Sequence, residues 1–371
     1  MRDGFRIIDG DRHVIEPIGL WRHYLAPEFR DQAPCYADLQ PGADGPPEMC
    51  VNGAPVMRLS ASARKAVADA AYPRREVLMS SQAPQGHLDS MDRCGIDAAV
   101  LFPTYGSYLV SIDTMAADLA HAFARAYNDW LRDFCSAAPG RLVGAGLIAR
   151  HDPAQMVAEA RRVAGFGWRT LVIRPNPVQG RTLGDAAYTS FWQLCEDLDL
   201  AVAVHEGTHA LLPSASADRF ESRFGMHACS HPMEQMMASL SLLEGGVLAR
   251  HPRLRVAFLE AGCSWLPYWL WRLDEVEYKY LQDEVAGRLA MKPSAYFRRQ
   301  CLVGIEPGEP MLAQVVPWIG ADNIVFGTDF PHLDHDEGIV DELLAAWREL
   351  PTGTVRKLLC DNAVRFYRLG G

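Results

Sequence analysis

Positive charge is in short supply in this 371-residue chain, where 46 acidic residues outnumber 36 Lys and Arg and leave a formal charge of -10 at pH 7. That balance excludes nucleic acid and anionic membranes as expected partners, since both are recognised through a concentrated positive field. Long apolar runs are missing as well. None approaches the ~18 residues of a membrane span, and the N-terminal MRDGFRIIDGDRHVIEP sets Asp9, Asp11 and Glu16 where a secretory signal needs an apolar stretch. A cytoplasmic protein is expected. The nine cysteines, spread from Cys35 to Cys360, contain no C-x-x-C spacing, which argues for reduced thiols and against a disulfide frame or zinc ribbon. No G-x-G-x-x-G follows the first apolar run, so a dinucleotide fold lacks its signature. Repeats, heptads and low-complexity tracts are absent too.

What the chain does contain is 49% hydrophobic and 22% charged residues, the composition of an ordinary globular protein. Short aliphatic runs alternate with amphipathic stretches. Strands are predicted over 5–13, 96–103, 141–148, 168–175, 200–207, 254–262, 300–304 and 323–332, with helices over 112–138, 153–163, 188–198, 233–250 and 338–349. Eight β/α units point to an α/β fold, a single distorted (β/α)8 barrel occupying 1–371. Residues 26–85, with Pro34, Pro41, Pro46, Pro47 and Pro55, interrupt the alternation and read as a loop or small subdomain inserted after strand one, placed to form a lid.

Ionisable residues recur where these strands end, and barrel enzymes carry their chemistry at that end. Asp11 and His13 are two apart on strand one and therefore face the same side. His205 ends strand five, Glu260 strand six and Asp329 strand eight. Grouping so many buried carboxylates and imidazoles costs several kcal/mol for each uncompensated charge, and a metal cation removes that cost. Each residue alone also has an ordinary reading: His205 as a hydrogen-bonded core histidine, Asp329 as a turn cap, Glu260 as an ion-pair partner of Arg174 or Arg272, and Glu16 as a cap of the next helix. Together they favour a metal. His231, just before Pro232 in CSHPMEQ, is placed at a helix start on the catalytic face, either as ligand or catalytic contact or as a cap with Glu234. His332, three residues after Asp329, is assigned a supporting or substrate contact. His209, His227, Arg174, Asn176 and Glu306 are weaker candidates for the pocket lining.

The segments IIDGDRHVIEP, NDWLRDFC, GGVLARHPRLRVAFLEAG, FGTDFPH and NAVRFY resemble the amidohydrolase superfamily, and within it the family named for aminocarboxymuconate-semialdehyde decarboxylase. The resemblance covers nearly all of the chain outside 26–85. It implies a metal held by Asp11, His13, His205 and Asp329. One departure stands out: the decarboxylase branch has a catalytic histidine at the end of strand six, where this chain has Glu260 in FLEAG. Exchanging a histidine for a carboxylate changes the proton chemistry, which turns the expectation away from simple decarboxylation. With His231, the ligand set becomes carboxylate-rich, suited to iron, with zinc or manganese as alternatives, and a bridging Glu260 would hold two ions about 3.5–4 Å apart. A small branch resembling this pattern comprises diiron monooxygenases that tailor terpenoid intermediates in antibiotic pathways. The expectation is set there: Glu260, His231 and His332 at the reaction centre, two iron ions, an apolar substrate acid or thioester, and a ferredoxin or reductase donor. Trp265, Leu266, Tyr268, Trp269 and Trp271 are expected to line part of that pocket. The alternatives are hydrolysis of an amide, ester, lactone or thioester, and non-oxidative decarboxylation. A homo-oligomer is left open.

Overall fold

The computed structural model describes residues 1–37, 48–306, 308–333 and 338–370. Eight parallel barrel strands follow the predicted runs, each shorter than its apolar segment: β1 (Ile8–Val14), β2 (Ala98–Pro103), β3 (Leu142–Gly144 continued by Gly146–Leu147), β4 (Thr170–Ile173), β5 (Ala201–His205), β6 (Arg255–Leu259), β7 (Cys301–Gly304) and β8 (Ile324–Val325). Strands buried on both faces need continuous apolar sequence, and VAVLF-type runs supply it. The hydrogen-bonded order runs β1-β2-β3 and then β3 through β8, with β3 shared between the two sheets. Backbone bonds from Gly10 N–H to the Phe326 carbonyl (2.9 Å) and from Asp329 N–H to the Asp11 carbonyl (3.0 Å) join β8 to β1. The ring is closed.

Helices cover the outside. Among them are α1 (Pro84–Cys94), α2 (Ala117–Cys135), α3 (Pro153–Ala164), α4 (Thr189–Asp197) and α5 (Arg223–Glu244). On α2, Leu119, Phe123, Tyr127, Trp130 and Phe134 recur at three- and four-residue spacing and are buried. Asn128 on the same helix clasps β3, accepting from Leu147 N–H at 2.7 Å and donating to its carbonyl at 2.9 Å. α3 begins as its sequence demands, with Asp152 accepting from Ala154 N–H at 2.7 Å and Pro153 as the first helical residue.

Three expectations are corrected. The helix predicted over 233–250 begins ten residues earlier, where Ser222 accepts from Gly225 N–H, and it ends at the Gly245–Gly246 pair. His231 therefore lies within α5, not at its start, and Pro232 sits inside the helix at the loss of one backbone donor. The segment 26–85, expected as a loop or small subdomain, holds an antiparallel sheet of Cys35–Tyr36, Met49–Val51 and Ala54–Pro55, then helices Ala61–Ala71 and Arg75–Ser80. Pro41, Pro46 and Pro47 lie outside the described residues. Glu16 does cap, but on another element: its carboxylate accepts from Thr104, Tyr105 and Gly106 N–H at 3.2, 2.9 and 2.9 Å, at the start of the short helix after β2.

Strand β8 is brief because its backbone is diverted. A bulge in β1 between Asp9 and Arg12 turns Asp9 toward β8, where it accepts from Thr328 N–H (2.9 Å) and Thr328 Oγ1 (2.6 Å) and pairs with Arg12 at 3.2 Å, both charges fully buried. Arg12 also donates from Nε to His87 Nδ1 on α1 and lies over the Phe330 ring. Gly327 is required next to this turn, because a Cβ there would lie 2.4 Å from the Asp11 Cβ.

Candidate metal centre

Three strand ends converge. His13 Nε2 lies 3.0 Å from His205 Nε2, and Asp11 Oδ1 lies 3.3 Å from His205 Nε2 and 3.6 Å from His13 Nε2. Asp329 Oδ1 is 3.4 Å from His13 Nε2. Among the described residues two overlapping sets have ligand atoms within 4.8 Å of one another: Asp11, His13, His205 and His13, Asp329, His332.

The ring orientations test whether a cation suits this cluster. His13 Nδ1 points at the Pro103 carbonyl (3.1 Å) and His205 Nδ1 at the Glu206 carbonyl (2.9 Å). Those acceptors draw the ring proton to Nδ1 and leave the two Nε2 lone pairs facing each other, with carboxylate oxygens alongside. Two lone pairs at 3.0 Å repel unless a proton or a metal lies between them. The donor set, two imidazoles and two carboxylates without a thiolate, fits a divalent ion such as manganese, zinc or iron. Electrostatics agree: burial, followed by His332 and His205, holds His13 well below the usual imidazole range. Burial alone would lower His205 too, but Asp11 and Glu260 outweigh it and hold it above that range.

Glu260 lines the same cavity but stands on the far side of His205, with Oε2 3.2 Å from Nδ1. It belongs to neither ligand set. Burial first, then the Asp329 carboxylate, push its carboxyl well above the ordinary range. Both Glu260 and Asp329 hold φ near +50° (54° and 52°), a left-handed backbone that costs a non-glycine residue roughly 1–3 kcal/mol and aims both side chains from strand ends. Arg174 and Arg272, the alternative partners for Glu260, pair instead with Glu206 (3.6 Å) and Glu277 (2.7 Å). His231 is outside the cluster: its Nδ1 meets the Glu260 carbonyl at 2.7 Å and its Nε2 the Thr208 hydroxyl at 2.9 Å. Burial lowers it to about 4. His332 fixes Asp329, with Nδ1 2.8 Å from Oδ1, while its Nε2 meets the Thr104 hydroxyl at 3.0 Å.

These groups open into a cavity of about 480 Å³. Its walls are mostly apolar, with Met57, Leu59, Val67, Ala71 and Leu78 contributed by the inserted segment and Tyr105 and Tyr108 by the loop after β2. His209, His227 and Arg174 also line it. Asn176 lies just behind, donating to Glu206 Oε1 at 3.3 Å, while the Glu306 backbone N–H is held by Glu309. The aromatic residues after β6 do not reach this space: Tyr268 and Trp271 are 56% and 48% exposed, and Trp265 donates its indole N–H to the Gly262 carbonyl. A recess of about 520 Å³ at the strand-start end, lined by Asp199, Arg255 and Arg368, is filled with charges paired to one another. Sequence reasoning missed Glu206, Thr104, Thr208 and Tyr108. Glu206 was within reach as the residue after His205, and Thr104 as the residue closing strand two.

Comparison with known proteins follows the same geometry. The chain is 26% identical over 298 residues to a 2-amino-3-carboxymuconate-6-semialdehyde decarboxylase of Dictyostelium discoideum, covering 80% of this chain and 79% of that protein. Its fold matches a Mycobacterium avium subsp. paratuberculosis amidohydrolase with TM-score 0.79 at 21% identity, covering 99% and 98% of the two chains. It also matches the 5-carboxyvanillate decarboxylase of Novosphingobium aromaticivorans, solved with manganese and 3-methoxy-4-hydroxy-5-nitrobenzoic acid, with TM-score 0.74 at 20% identity over 99% and 98%. These relatives lend no support to the monooxygenase preference or to iron in particular. The amidohydrolase family model matches residues 8–369, and the chain belongs to that family as a metal-dependent enzyme.

Proposed function

We propose that the protein is a metal-dependent decarboxylase of a carboxylic acid with an apolar body. One observation carries the reading: the His13–His205–Asp11–Asp329 cluster opens onto a cavity whose walls are largely hydrocarbon. A carboxylate drawn out of water into such a space loses hydration that neutral carbon dioxide does not need, so release of carbon dioxide is favoured, with the charge left on the substrate carbon until a proton neutralises it. The activities named for two of the three relatives are decarboxylations and point the same way.

A divalent ion, manganese by analogy with the Novosphingobium enzyme, would supply Lewis-acid charge to hold the substrate's oxygen atoms. His13, His205, Asp11 and Asp329 would hold that ion, with His332 and the Pro103 and Glu206 carbonyls fixing their orientation. The hydrocarbon walls exclude water. When the bond between the substrate carbon and its carboxylate breaks, the electron pair stays on that carbon and takes a proton from Glu260, the cavity-lining carboxyl at the strand-six end. The same substitution favours a second reading, hydrolysis, in which Glu260 is instead a base for water. In neither reading does Glu260 bridge two ions, and it stands beside the Nδ1 face of His205.

The test uses manganese-loaded protein and a panel of aromatic, alkenyl and alicyclic acids in heavy water. Decarboxylation releases carbon dioxide and leaves deuterium at the vacated carbon, at equal rates in air and under nitrogen. Turnover that demands oxygen, or that transfers water oxygen without carbon dioxide, overturns the proposal.

A further inference from the structure

The metal cluster and the hydrocarbon walls leave one part of the cavity unexplained, a rim on the side of α5 that carries an arginine and two histidines. Arg223, His227 and His209 all line the cavity there. Arg223 is the first residue of α5, a 22-residue helix with no acidic residue in its first turn. The positive end of a helix dipole favours Asp or Glu at that place, so a cation gains nothing for stability there. Arg223 makes no hydrogen bond or ion pair within the described residues. Its charge is felt at His209, where burial first and then Arg223 and His227 lower the imidazole to about 4. Glu206, on the strand-five side of the cavity, acts on His209 in the opposite direction. His227 also packs against His231, with ring centroids 4.8 Å apart, which connects the rim to the strand-five loop.

We infer that Arg223 receives a second anionic group of the substrate, a carboxylate or phosphate-type oxyanion at the end remote from the metal cluster, with the apolar body lying between along Met57, Leu59, Val67 and Leu78. The substrate is then a dianion with an apolar spacer, and Arg223 determines specificity without touching the reacting carbon. This inference rests on the reading of the cavity as the substrate site.

Calorimetric titration of manganese-loaded protein with octanoate, octanedioate and 8-phosphonooctanoate tests it. Either or both dianions should bind about two- to fivefold more tightly than octanoate, the size expected for a solvent-exposed Arg–oxyanion pair. Which dianion wins identifies the oxyanion. Arg223→Gln should abolish the preference, raised salt should reduce it, and Arg223→Lys should keep part of it. Equal affinity for all three in the unaltered protein, or a preference that persists in Arg223→Gln, overturns the inference. Because binding is measured apart from turnover, a dianion preference without carbon dioxide release from any acid would defeat decarboxylation and leave this inference standing. Carbon dioxide release with no such preference would do the reverse.

Discussion

The floor and the wall of the cavity are built on opposite principles. At the floor, every functional side chain leaves the end of a barrel strand and is held by a second contact: His13 by Pro103, His205 by Glu206 and Asp329 by His332. At the wall, Met57, Leu59, Val67 and Leu78 come from a long excursion between β1 and β2 and offer only hydrocarbon. Directional bonds fix positions to a fraction of an ångström, as metal ligation requires; dispersion and burial tolerate exchange of one apolar side chain for another. Chemistry therefore resides in the part that cannot vary, and substrate choice in the part that can.

The largest break in that contrast comes from the floor. His205→Ala and Asp329→Ala are each expected to weaken metal binding by more than about 100-fold, since removing even an outer partner of a ligand costs 10–100-fold. Metal content after dialysis and turnover should fall together while far-ultraviolet dichroism stays that of the folded barrel. Retained metal in both variants would mean that the paired Nε2 atoms serve only the core.

A smaller effect is expected where floor and wall meet. Glu16 follows β1 and caps the loop that carries Thr104 and Tyr105 into the cavity. Burial raises its carboxyl to about 7 against the opposing pull of four backbone N–H donors. The folded state then holds a proton that the unfolded chain has released, so this contribution is intact below pH 4.5 and is lost as pH rises through about 7. The loss approaches about 3 kcal/mol at most, at 1.36 kcal/mol per unit. Denaturant unfolding between pH 5 and pH 8 should show stability declining in the unaltered protein and a shallower decline in Glu16→Gln. Glu234, also raised to about 7 by burial, keeps its own share of the slope. Identical slopes in the two proteins would rule out Glu16 as a source.

The contrast also explains which parts could be read from the sequence. Barrel strands are written as apolar runs that end in Asp, His or Glu, and period-two alternation placed Asp11 and His13 on one side, as their 3.6 Å contact confirms. Floor residues are thus local in sequence even where their partners are distant. The partners themselves were hidden: Thr104 meets His332 across 228 positions, and the Glu16 cap reaches 88 positions to Thr104. Pro232 misled because a proline favoured at helix starts can also lie inside a long helix. The tryptophan-rich run after β6 misled because its periodicity reports a helix without saying which surface it meets. Wall residues were invisible for a simpler reason, being single apolar side chains dispersed over a loop and two short helices that lie outside the barrel strands.

That dispersion makes the wall the place to sharpen the comparison with the gentlest change. Leu78→Trp and Val67→Trp add volume on the cavity side without touching a ligand or a strand. If the wall alone sets how large a body fits, each variant should retain its metal and its turnover of the smallest acid accepted. Affinity for the bulkiest acid accepted should fall by about tenfold or more, because one misplaced apolar group in a pocket changes selectivity by ~1–3 kcal/mol. The ratio of the two KM values is the measurement that decides it. A uniform loss on all substrates would show that the insertion supports the floor, through the Arg74 bond to the His332 carbonyl. A selective loss would leave β1, β5 and β8 as the seat of the chemistry and assign residues 57–78 the limit on how large a substrate body fits.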